Sequence, residues 1–134
     1  MDLRELEVKD VGVKMYVRHP GTGEKLTHEM EDGTTMEMYI LLLGHDSKQY
    51  RDKARQITNG RIKDKRDNPT YITPPDRVED EAMELLASIV MGGQLFIDGQ
   101  VMELNSTNVL PIFQKYVWIR EQVDTFVHNR NNFL

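Results

Sequence analysis

Along Val13, Met15 and Val17, apolar side chains alternate with Lys14, Tyr16 and Arg18, the period of two that marks a half-buried strand. Pro20-Gly21-Thr22-Gly23 interrupts that run, and a second short one spans Lys25 to Met30. Glu31-Asp32-Gly33-Thr34 follows, where an Asp-Gly pair tolerates the positive φ angles of a tight hairpin turn. From Thr35 to Leu43 the pattern sets Met36, Met38, Ile40 and Leu42 on one face and Tyr39, Leu41 and Leu43 on the other. Together these segments predict a small antiparallel β-meander over residues 12–43.

Beyond Gly44 the period changes. Asp46 is placed to cap a helix, with Gln49 reaching back to it, and Tyr50, Ala54 and Ile57 form a sparse apolar stripe. Gly60 weakens that helix by about 1 kcal/mol relative to Ala, and residues 64–75 read as a linker closed by Pro74-Pro75. Asp76-Arg77-Val78-Glu79 repeats the capping logic. Val78, Ala82, Leu85, Leu86, Ile89 and Val90 then recur at helical spacing up to Gly92-Gly93, read as the helix stop. A hairpin near 94–104 turns on Asp98-Gly99. Ser106 or Thr107 is expected to cap a short helix with Pro111 in its first turn. A last helix sets Ile119, Val123, Phe126 and Val127 on one stripe, with Arg120, Glu121 and Asp124 facing away. The expected class is α+β: an N-terminal antiparallel β-meander, then three to four helices with an interposed β-hairpin, in a single domain over 1–134.

Composition narrows what such a fold can do. At 134 residues, the chain suits one modest core. No apolar run approaches the about 20 residues needed to cross a bilayer, and Met1-Asp2-Leu3-Arg4-Glu5 lacks the layout of an export signal. A cytosolic protein with no membrane partner is expected. The absence of cysteine excludes disulfides, thiolate metal sites and a cysteine nucleophile. The net charge of −5 is uneven, since residues 46–67 carry eight Lys and Arg against four Asp. Those cations are interleaved with acids and lack stacking aromatics, so a solvated helix face is favoured over a nucleic-acid groove.

No motif carries catalytic or cofactor chemistry. Gly21-Thr22-Gly23-Glu24-Lys25 falls short of a phosphate loop, because the glycine spacing is wrong and Leu26 stands where Ser or Thr is needed. His19, His28, His45 and His128 are scattered, without a ligand pair at helical spacing. Ser47, Ser88 and Ser106 have structural roles at helix starts or interiors, and His45-Asp46-Ser47 cannot converge on one site from adjacent positions. The expectation is a non-enzymatic chain with no cofactor and no metal. Of the eight methionines, Met15, Met36 and Met38 fall on inward sheet positions. Ordinary core filling is their first reading, and an adaptable binding surface their second.

Several strings point further. Asp10-Val11-Gly12, Arg18-His19-Pro20-Gly21-Thr22-Gly23-Glu24, Leu42-Leu43-Gly44-His45-Asp46-Ser47 and Tyr50-Arg51 occur in the first half. Gly92-Gly93, Asp98-Gly99 and Trp118-Ile119-Arg120-Glu121-Gln122-Val123-Asp124, with the terminal Asn132-Phe133-Leu134, complete the set. The chain resembles, nearly end to end, the small tail assembly chaperones of long-tailed, siphovirus-type bacteriophages and prophages. The resemblance implies a non-enzymatic protein that keeps the long helical tape measure protein soluble during tail morphogenesis, until tail-tube subunits polymerise around it. It implies action in the host bacterial cytoplasm and absence from the mature virion. Tail-tube subunits are a second implied partner, and a homo-oligomer is compatible with the role. Chaperones of this functional class are described as wholly helical, so strands over 12–43 depart from that pattern. The rival readings are a structural tail or head–tail connector subunit, and a nucleic-acid-binding regulator using the basic segment. From their chemistry, the residues expected to contact a partner are Met36, Met38 and Tyr39 on the sheet, and Trp118, Arg120 and Gln122 on the last helix.

Overall fold

The alternation at the N-terminus becomes strand β1 (Val13–Tyr16) in a computed structural model that describes residues 1–134. β2 (Thr27–Glu29) and β3 (Thr35–Glu37) follow, and their hairpin turns at Gly33, whose φ of +85° suits glycine. β4 (Tyr39–Leu42) then returns beside β1, pairing Met15 with Ile40 and Tyr16 with Tyr39. The expected meander is therefore corrected. β1 pairs with β4 rather than with β2, and the β2–β3 hairpin is a separate two-stranded sheet. The break lies at Met38, where the chain leaves β3. Met38 donates its N–H to the Leu26 carbonyl and accepts from the Val17 N–H, so this one residue joins both sheets. Because of that break Met36 does not share the inward face of Ile40 and Leu42; it sits half-buried on β3 opposite His28.

Helix α1 (Lys48–Asp67) runs without interruption through Gly60 and takes the first residues of the expected linker, whose remainder connects it to α2 (Pro75–Ala87). Ser47 caps α1, accepting from the Tyr50 N–H at 3.3 Å. Asp46 is occupied elsewhere. α2 begins with Pro75 at its first position and has no side-chain cap, so the capping box expected at Asp76 does not form. That helix also ends earlier than its apolar spacing suggests, because Val90 opens β5 (Val90–Ile97) and Gly92-Gly93 lie within this strand. Their reason is close approach: a Cβ on Gly93 would lie 2.4 Å from the Tyr39 carbonyl oxygen, and Gly93 has φ +130°. Register slips opposite Leu41 and Leu42, leaving Met91 bulged and exposed.

β6 (Gln100–Glu103) returns along β5 through a two-residue turn at Asp98 (φ +53°) and Gly99 (φ +78°), the positive pair expected of such a hairpin. This hairpin is part of the main sheet, whose order is β1-β4-β5-β6, antiparallel throughout. α3 (Val109–Lys115) and α4 (Val117–Val127) complete the helices. Neither Ser106 nor Thr107 caps α3; Asn105 accepts from the N–H groups of Thr107 and Asn108 instead. The chain is thus a mixed α and β structure with a four-stranded antiparallel sheet and four helices. Met15, Ile40, Leu42 and Leu95 from the sheet pack with Met83 and Leu86 of α2, Ile112 and Phe113 of α3, and Ile119, Val123 and Val127 of α4 in one apolar cluster. No helix is long and apolar enough to cross a membrane.

The last residues close the structure. Phe133, in a short 3-10 turn (Arg130–Phe133), is completely buried against Phe126 and the backbone of Gly44, where a Cβ would meet its ring at 2.9 Å. Around it, Lys9 donates its N–H to the Phe133 carbonyl, Asn132 donates to the Phe126 carbonyl, and Arg130 grips Asp46 through two hydrogen bonds. Two of the strings singled out in the sequence, Leu42 to Ser47 and the terminal Asn-Phe-Leu, thus meet in one corner. Hydrogen bonding from Arg130 holds the Asp46 carboxyl below its ordinary pKa; burial opposes this, and the charge of His45 adds to it.

Candidate functional site

Apolar side chains that a folded chain leaves open to water are the first place to look for a binding function. Where α4 begins beside the sheet, Met38 and Trp118 come together in a cleft of about 180 Å³. Leu26, Phe96 and Tyr116 are among its other walls, and every lining residue is hydrophobic. Each element contributes for a local reason. Met38 stands at the strand break, so its side chain faces the gap between the two sheets. Phe96 alternates outward from Leu95 on β5, and the β2–β3 hairpin folds over it so that the His28 ring stacks on Phe96 at 3.5 Å between centroids. Tyr116 is the hinge between α3 and α4, and its ring meets Trp118 edge to face at 6.2 Å.

Trp118 is also a wall of a second depression of about 450 Å³, shared with Met15, Arg18, Gln122 and Phe126. The two hollows flank one indole. The cleft wall carries no carboxylate, imidazole or amine, so what it offers is desolvation of apolar groups and little else. Fully burying one aliphatic or aromatic side chain there would contribute about 1.5–3 kcal/mol. Nowhere in the structure do three or more His, Asp or Glu side chains come together in a way that would hold a metal ion.

The other residues expected at a partner surface separate from this cleft. Met36 lies on the outlying hairpin. Tyr39 lies on the opposite face of the sheet, covered by the Lys14 ammonium at 4.3 Å from its ring centroid. Beside it Lys25 sits 3.8 Å over the Tyr16 ring, giving that face a ladder of lysines on tyrosines. Arg120 pairs with Glu79 at 3.2 Å and faces α2. Gln122 is a clamp: its amide donates to the Arg18 carbonyl at 2.8 Å and accepts from the Arg18 N–H at 2.9 Å, tying α4 to the end of β1. Both backbone groups of Arg18 are satisfied by one side chain, so Gln122 is committed to the fold. Phe96, Leu26 and Tyr116 are not among the residues that the sequence marks as partner contacts, and only the juxtaposition of hairpin, β5 and α4 leaves them half-covered.

The basic segment resolves similarly. Lys53 meets Glu84 and Arg61 meets Glu81, so part of its positive charge is met by α2, while its own Asp64 is taken by Arg77. Compared with known proteins, the chain matches no family model, no curated protein and no solved structure.

Proposed function

We propose that this chain is a tail assembly chaperone of a long-tailed bacteriophage, which binds apolar segments of the tape measure protein and keeps them from associating. The one observation that supports this most is the cleft in which Met38 and Trp118 meet. A lining without any carboxylate, imidazole or amine suits a client that presents leucine-like side chains. A thioether and a ring offset from its neighbour can repack around different side chains, which suits successive segments of a long chain. On this reading the protein makes and breaks no bond, works in the host bacterial cytoplasm and is left out of the finished virion.

Co-expression with the tape measure protein tests the idea. The wild-type chain should hold the tape measure in the soluble fraction. Trp118→Ala and Met38→Ser should lower its capture by about 10-fold or more, the loss typical of an anchoring side chain. Met36→Asp, outside the cleft, should leave capture intact. Circular dichroism must show each variant folded. Undiminished capture by both cleft variants would overturn the assignment, and many copies of the chain in purified virions would favour a structural subunit.

A further inference from the structure

A larger groove, of about 810 Å³, runs between α2 and α4 and shares no lining residue with the cleft. Its floor is the face of α2 that the core does not use. Val78, Ala82 and Leu85 recur there at helical spacing, with Val78 42% exposed and Ala82 exposed; Met83 and Ala87 point into the core, and the buried Leu86 lies between the two. The walls are acidic. Glu79 stands on α2 and Glu121 and Asp124 on α4, and the single cation among them, Arg120, is already paired with Glu79. At the groove's end, burial raises the pKa of the Tyr50 hydroxyl, and the charge of Asp124 raises it further.

We infer that this groove is a docking site for a helix of another polypeptide, one whose apolar stripe is flanked by lysine or arginine. A stripe recurring at helical spacing between two helical ridges is complementary to a third helix laid in the groove. Two carboxylates on α4, Glu121 with no ion-pair partner and Asp124 with only the His128 ring 3.3 Å away, select cations at that helix's margins. A second copy of this chain fits poorly. Its own basic helix, α1, shows only Ile62 as an exposed large apolar side chain and has no stripe to offer. The inference stands on α2 and α4 alone and does not rest on the chaperone reading.

Fluorescence anisotropy with a labelled amphipathic peptide of leucine and lysine, and a twin with glutamate in place of lysine, tests it on the full chain. The wild-type protein should bind the lysine peptide and not the twin. Glu121→Lys with Asp124→Lys, and separately Ala82→Arg, should each weaken binding by about 10-fold or more. The equal charge change Glu29→Lys with Glu31→Lys, on the distant β2–β3 hairpin, should alter it less than about 2-fold. All five positions on the groove and hairpin are exposed, so these variants should fold. Equal binding of the two peptides, or equal loss in the hairpin control, would overturn the inference. So would loss in Trp118→Ala with retention in Ala82→Arg, which would move the peptide to the cleft. Self-association abolished by Ala82→Arg in sedimentation would assign the groove to a second copy instead. Since the peptide carries no tape measure sequence, its failure to bind would leave the proposed function standing.

Discussion

Helix α1 and the terminal turn are opposites. α1 is 20 residues long and buries none of them, whereas the turn at Arg130–Phe133 is 4 residues long and buries Phe133 completely. α1 is tied to α2 by ion pairs, of which Lys53–Glu84 stays open to solvent and is worth little in water, while Arg61 reaches the buried carboxylate of Glu81. The turn is held by an aromatic ring seated on Gly44 and by backbone hydrogen bonds that reach across the chain. Length of regular structure is therefore a poor guide to what holds this fold. Most helical stability comes from packing an apolar face, and α1 has little face to pack.

Phe133→Ala gives the sharpest way to break that contrast. It should cost about 3–5 kcal/mol, the range for emptying a buried aromatic site, read as a fall in the urea midpoint of the whole molecule. A loss under about 1 kcal/mol would mean that the corner is closed by its hydrogen bonds and not by the ring. Gly60→Ala should act smaller and elsewhere. Apart from its chain neighbours and the helix's own backbone, no atom lies within 4 Å of where its Cβ would be, and the helix should gain about 1 kcal/mol. Hydrogen exchange should show that gain as slower opening of α1 amides while the global midpoint hardly moves. A midpoint that rises by the full amount would show α1 to be cooperative with the core, and the contrast would fail. The smallest effect belongs to Arg130→Ala. Asp46 has a lowered pKa in the folded chain, so the pair stabilises at neutral pH and its contribution disappears as pH falls below about 4. The variant should show a flatter acid limb in a stability-versus-pH titration and near-normal behaviour under acid.

Local chemistry made much of this legible. Period-two alternation placed β1, and the Asp-Gly pairs at 32–33 and 98–99 placed both hairpin turns, because each is decided by residues within a few positions. What depends on distant partners was not legible. Gly92-Gly93 looks like a helix stop until Tyr39 is known to press against it. Asp46 looks like a cap until Arg130, far along the chain, takes it and leaves Ser47 to do the work. Ile89 and Val90 keep helical spacing because both helix and strand can aim them at the same core. At the candidate site, Met38 and Trp118 could be chosen for their chemistry, but nothing local says that they adjoin. Gln122 could be chosen as a polar group at a surface, but not as a clamp on a strand it meets only in three dimensions.

The excursion from β4 to β5 carries a practical corollary. Residues 43–89 leave the sheet at Leu42 and rejoin it at Val90, and their outermost connection, between Asp67 and Pro75, is largely exposed. Since closing a flexible loop twice as long costs only about 0.6 kcal/mol more, that connection is a natural insertion point. A fluorescent reporter or a foreign epitope spliced there should be carried with little penalty, the sheet keeping its strand order.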